Sequence, residues 1–98
     1  MDSGGAVPMG LNDLHHRSLE VRDYLFRGEK LLLTRRGKPL ASIKPVAVDI
    51  EFPRDAQVRS ITYIRRHKRE FVLKIMEGQR ILLTYRGKTI GIVDPELS

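Results

Sequence analysis

The chain repeats itself at a distance of fifty residues. Gly28 to Pro45 reads GEKLLLTRRGKPLASIKP, and Gly78 to Pro95 reads GQRILLTYRGKTIGIVDP. Aligned without a gap, these 18 positions hold eight identities, at Gly28/Gly78, Leu32/Leu82, Leu33/Leu83, Thr34/Thr84, Arg36/Arg86, Gly37/Gly87, Lys38/Lys88 and Pro45/Pro95. Chance alone supplies about one. Most of the remaining pairs are conservative, among them Lys30/Arg80, Leu31/Ile81, Leu40/Ile90, Ala41/Gly91 and Ile43/Val93. A repeat of this length marks one supersecondary unit used twice. Two copies are too few for a solenoid and predict a pseudo-two-fold pair.

Length limits how such a pair can be stable. The 98 residues make one compact domain or two small fused units, and a half of about fifty residues buries too little surface to stand alone. The copies must complete each other's core or pair with a second chain, and both arrangements, an intramolecular pseudo-dimer and a homodimer, remain open. An apolar fraction of 41% with periodic segments indicates a globular chain.

Read in parallel, each copy has the same order of elements. A short extended piece, roughly Val7 to Leu11 and Val58 to Ile61, precedes a residue of helix-capping type, Asn12 or Thr62. In copy two, Ile64, Phe71, Val72, Ile75 and Met76 recur at helical spacing, and Leu14, Val21, Leu25 and Phe26 stand at the equivalent places. This predicts one helix, or two short ones, with an apolar face belonging to the core. Gly28 and Gly78 end the helices as left-handed C-caps do. Next, Lys30–Thr34 and Arg80–Thr84 form strands, Arg36-Gly37 and Arg86-Gly87 turn the chain, and Pro39–Lys44 and Thr89–Val93 run back. The fold class that follows is α+β: two strand–helix–β-hairpin units with a mainly antiparallel sheet. The domain reading is a loose tail at 1–9, a first repeat at 10–45, an acidic connector at 46–57 and a second repeat at 58–98.

Charge is distributed in the same pattern. The formal charge is +6. Residues 11–45 carry eight Lys/Arg and four Asp/Glu, residues 58–98 nine and four, and the connector one and three. Basic repeats around an acidic connector fit a polyanionic partner, above all nucleic acid, and a two-fold pair fits double-stranded DNA with a palindromic site. The plainer alternative is a basic, solvated surface.

The densest basic cluster is Arg65, Arg66, Lys68 and Arg69, expected at the start of the helical segment, where backbone amides favour phosphate and arginine can read a guanine edge. Copy one offers His15, His16, Arg17 and Ser18 at the same positions. Arg35, Arg36 and Lys38, with Arg86 and Lys88, surround the hairpin turns as backbone-positioning contacts, or simply keep an edge strand soluble. Adjacent His15 and His16 point in different directions on a helix and lack a third ligand, so no metal site is expected. With no cysteine, disulfides, thiolate catalysis and thiolate zinc sites are excluded. No phosphate-binding glycine loop, nucleophilic triad or cofactor motif appears, so neither enzyme activity nor a cofactor is expected. No apolar run approaches a membrane span, and the N-terminus lacks a signal pattern, which points to the cytoplasm.

The unit resembles the N-terminal domain of the prevent-host-death (Phd/YefM) antitoxin family. That family combines an early strand and a helix with a glycine about sixteen residues on. A hairpin of the form apolar-apolar-Thr-x-Arg-Gly-Lys-Pro-apolar-Ala follows and closes on a proline. LLTRRGKPLASIKP and LLTYRGKTIGIVDP carry that signature, and Asn12 to Gly28 and Thr62 to Gly78 both span sixteen. The helix starts depart from it: of the family's Ser-Glu-Ala-Arg stretch only Arg65 remains. The resemblance implies a dimeric DNA-binding domain of the type II toxin-antitoxin kind, a repressor of its own operon at palindromic operators. It also implies a toxin as protein partner, but the chain ends three residues after Pro95, where the family's toxin-blocking extension is expected. A tandem, antitoxin-like transcription regulator without that tail is the reading that follows. The alternative is a protein-interaction module that binds a toxin or regulator with weak or absent DNA binding.

Overall fold

The computed structural model describes residues 6–46 and 56–95. Copy one supplies β1 (Val7–Gly10), α1 (Leu11–His16), α2 (Ser18–Phe26), β2 (Leu31–Arg35) and β3 (Lys38–Pro45). Copy two supplies β4 (Gln57–Ser60), α3 (Ile61–Arg66), α4 (Lys68–Met76), β5 (Ile81–Tyr85) and β6 (Lys88–Asp94), each starting fifty residues after its counterpart. The result is an α+β fold with one six-stranded sheet in the order β1-β2-β3-β6-β5-β4.

The sheet is mixed. β2–β3, β3–β6 and β5–β6 are antiparallel, whereas the edge pairs β1–β2 and β4–β5 are parallel. The physical reason is the connection: two helices carry the chain from β1 back to the same end of the sheet, so β2 must run in the same direction. The β3–β6 ladder is centred on Ile43 opposite Val93, which are equivalent positions of the two copies. Pro8 lies in edge strand β1, where a missing ladder donor is tolerated.

The core follows strand alternation. Leu31, Leu33, Ala41 and Ile43 of copy one and Ile81, Leu83 and Val93 of copy two are buried together with Leu14, Val21, Leu25, Ile64, Phe71 and Ile75 of the helices. Residues two apart share a sheet face, so the helices cover one face. Each second helix lies over the other copy's hairpin, α2 packing on β6 as well as on its own β3, and α4 on β3. The copies therefore complete each other's core within one chain. Met76 and Phe26, expected in that core, are exposed instead. They sit one position past Ile75 and Leu25, at the border of the apolar face, and reach over the hairpins.

Local chemistry explains the ends of the elements. Gly28 and Gly78 adopt φ of +81° and +84°. Gly28 N–H donates to Leu25 O and Glu29 N–H to Tyr24 O, and Gly78 and Gln79 repeat this with Ile75 and Lys74. That is the paired-bond C-cap that only a left-handed residue allows. At the N-termini the caps are Gly10 and Ser60, not Asn12 and Thr62. Ser60 Oγ accepts from Tyr63 N–H at 3.3 Å, which satisfies an orphan donor of the first turn. Each helical segment is broken once, at Arg17 and at His67, with no proline or glycine at either break. Of the tail at 1–9, Val7–Met9 are paired strand, within the extended piece expected from Val7, and residues 1–5 lie outside the described residues. So does most of the acidic connector.

No helix among the described residues is long and apolar enough to cross a membrane.

Candidate nucleic-acid interface

The break at His67 relocates the basic cluster. Arg65 and Arg66 end α3, while Lys68 and Arg69 open α4. The expected helix-start position thus applies only to Lys68 and Arg69. Arg65 and Arg66 instead sit at the negative end of a helix dipole, where cations are favoured. Arg65, Arg66 and Arg69 are exposed, and no ion pair among the described residues neutralises them.

Helices α1 and α3, one from each copy, pack against each other. Their meeting places His16 beside Thr62, Arg65 and Arg66, which line a depression of about 350 Å³. His16 and Arg66 are equivalent positions, so the depression draws the two copies' corresponding residues together. His15, next to it, lies on α1, and its side chain is outside the described residues. Arg17 is turned aside: it pairs with Glu20 one helical turn on, and that carboxylate holds its proton more tightly than usual. His67 lies 3.7 Å from Glu70.

A second basic grouping crosses the copies. A cavity of about 690 Å³ opens between the hairpin of copy one and helix α4 of copy two. Arg35, Arg36, Lys68 and Arg69 line it together with Asp13. Lys68 Nζ donates to Asn12 Oδ1 across the same opening. Val72, Leu73 and Met76 supply apolar wall. Two groups that looked separate in sequence, a hairpin turn and a helix start, are thereby one site. Leu73 and Met76 belong to it and were not singled out from the sequence as site residues. Met76, four residues after Val72, is on the apolar stripe expected in the core, whereas Leu73 lies off that stripe.

The turns themselves are strained alike. Arg36 and Arg86 have φ of 53° and 51°, followed by Gly37 and Gly87 at 77° and 80°. Positive φ at both central residues is the hairpin turn whose twist matches the strands, and a non-glycine residue is uncommon there. Arg86 stacks 5.3 Å from the Tyr85 ring centre. Lys38 and Lys88 are exposed on the returning strands and line neither depression.

On the other side of the molecule, Tyr85 and Arg22 stand at the positions equivalent to Arg35 and Val72 of the larger cavity. Arg22 Nη1 donates to Tyr85 Oη at 2.7 Å, and its guanidinium lies 4.8 Å from the ring centre. Phe26 meets the same ring edge-on at 6.4 Å. Among the described residues no three His, Asp or Glu side chains converge as a metal site would require.

No protein-family model matches the chain, and no curated protein or solved structure matches it.

Proposed function

We propose that the chain is a cytoplasmic DNA-binding transcription regulator built from two Phd/YefM-like units related by a pseudo-two-fold axis. The supporting observation is the junction of α1 and α3, which gathers exposed Arg65 and Arg66 with His16 from the other copy. A junction of equivalent helices suits an operator whose half-sites are themselves related by two-fold symmetry. Exposed arginines at helix ends can contact phosphates, which fix position, or guanine edges, which carry sequence. Strained Arg36 and Arg86 would hold further cations at fixed points on both hairpins.

Salt titration on DNA from upstream of the gene tests this reading. Binding should weaken steeply with salt, at roughly 0.9 log units per log unit of salt for each phosphate neutralised. Charge reversal of Arg65 and Arg66 to Glu should remove about two such contacts and abolish preference for the upstream fragment. If the native chain binds that fragment no better than random DNA at moderate salt, the specific version fails.

A second reading has its own observation. Leu19, Phe26, Leu73 and Met76 are large apolar side chains left exposed on the helices, as a protein-interaction module presents them. Such a module would bind a toxin or regulator, and the Arg65/Arg66 reversal would leave that binding intact.

A further inference from the structure

The two hairpin corners are made by the same repeat, yet one is filled and the other is open. At the filled corner the Tyr85 ring occupies the space between helix α2 and its hairpin, beneath Arg22 and against Phe26. The equivalents of these three residues are Arg35, Val72 and Met76. At that corner Arg35 Nη1 lies 3.8 Å from Met76 Sδ, and about 690 Å³ of space remains.

We propose that this open corner is a binding site for a small aromatic carboxylate, whose ring lies on Met76 beside Arg35, much as the Tyr85 ring meets Phe26 in the other copy. The assignment does not depend on DNA binding. Three features define the ligand. The apolar wall of Val72, Leu73 and Met76 includes two side chains that are 54% and 61% exposed, which is surface that gains by being covered. The molecule itself shows that an aromatic ring fits a corner of this shape. The rim carries four cations, Arg35, Arg36, Lys68 and Arg69, against one carboxylate, Asp13, so an anion is favoured over a neutral ring. A carboxylate can engage the Arg35 fork in two parallel hydrogen bonds while the ring lies on Met76, whose thioether contacts aromatic rings favourably. The volume and the mixture of apolar wall with a few convergent polar groups are those of small-molecule sites.

The test uses the full chain and 4-hydroxyphenylacetate, which joins a tyrosine-like ring to a carboxylate. The chain has three methionines, so methyl NMR resolves the site directly. Met76 should shift on titration, while buried Met9 stays still and reports the fold. Acetate and p-cresol, each half of the probe, should bind at least about ten-fold more weakly, the scale of one charge-assisted hydrogen bond. Arg35→Tyr, which copies the filled corner, should abolish the Met76 shift. Arg35→Gln keeps the space and removes the charge; it should weaken binding about ten-fold with the Met9 signal unchanged, and it carries the test if Arg35→Tyr fails to fold. Equal binding of acetate and the probe, or an undiminished Met76 shift in Arg35→Gln, would overturn the proposal. So would much tighter binding of a Glu-Tyr-Glu peptide than of the free acid, which would assign the corner to a partner chain.

Discussion

At one hairpin Tyr85 lies beneath Arg22 and edge-on to Phe26; at the other Arg35 takes the same position and meets Met76. Backbone, turn and register are shared: Leu33 pairs with Ala41 as Leu83 pairs with Gly91, and the ladder shifts after both. The corners differ only in side chains. A duplicated unit can therefore keep its scaffold in both copies and specialise one corner for cohesion and the other for binding. The same division runs through the core, where Val21 of copy one stands for Phe71 of copy two and Ala41 for Gly91.

The largest effect expected is in the helices. Phe71 is fully buried, and Phe71→Ala should destabilise the chain by about 3–5 kcal/mol. The equivalent Val21→Ala should reach only about 2 kcal/mol, since less apolar surface is withdrawn from water. Chemical denaturation of both variants measures the inequality. Equal losses would mean that the copies carry equal shares of the core.

Gly91→Ala comes next. A Cβ at Gly91 would lie 2.8 Å from Leu25 Cδ1 and 3.0 Å from Lys44 O, and buried Leu25 has little room to yield. Overpacking of this kind should lower stability by about 1–3 kcal/mol, although Ala41, the same position in copy one, is already alanine. A neutral Gly91→Ala would show that α2 can retreat from β6 and that the two sides pack alike.

Much of this architecture is legible in residue order, and the limits of legibility are physical. The capping glycines, the Arg-Gly turns and the strands of each hairpin are set by neighbours in sequence, and Gly28, Gly78, Gly37 and Gly87 mark them directly. Two short helices are one of the two expected forms, but the break at His67 has no proline or glycine to locate it, so Arg65 and Arg66 are expected at the start of the helical segment, whereas they end its first short helix. Parallel pairing of β1 with β2 depends on where a helical connection lands, which local pattern does not encode. The open corner is least visible of all. It joins Arg35 to Arg69 across the copies, and nothing near either residue points to the other.

Tyr85→Arg turns the filled corner into a second open one. It removes the edge-to-face contact with Phe26, a loss of about 1 kcal/mol, and sets a new guanidinium against Arg22. The denaturation midpoint should fall by less than in Gly91→Ala, and a second cavity should accept the same aromatic carboxylate. Unchanged stability would show that the Tyr85 ring closes the corner without bracing it.

Smaller still is the turn. Arg36→Asn and Arg86→Asn place a residue that tolerates positive φ where arginine is held at 53° and 51°. Each should stabilise by about 0.5–1 kcal/mol, by the same amount in both copies, because here the copies do not differ. If the DNA reading is right, each gain in stability will come with weaker, less salt-sensitive DNA binding, which a stability assay and a salt titration on the same samples can reveal together.

The smallest effect sets Tyr63 against its counterpart Asp13. Asp13 is an exposed wall of the open cavity, whereas the Tyr63 hydroxyl is buried with no hydrogen-bond partner among the described residues. Burial pushes the Tyr63 phenol above its ordinary value, an effect that nearby Arg59 opposes without cancelling. Removing an unsatisfied hydroxyl should leave Tyr63→Phe within about 0.5 kcal/mol of the native chain at neutral pH, on the stable side. The difference should then grow in alkali. Above the ordinary phenol value of about 10, the unfolded chain gives up its Tyr63 proton while the folded chain still holds it. Native stability therefore falls as pH rises from there toward the folded value. Phenylalanine has no proton to lose, so the variant's lead should widen only above that pH. Parallel pH dependences for the two proteins would mean that Tyr63 is solvated after all, and that position 63 is as open to water as position 13.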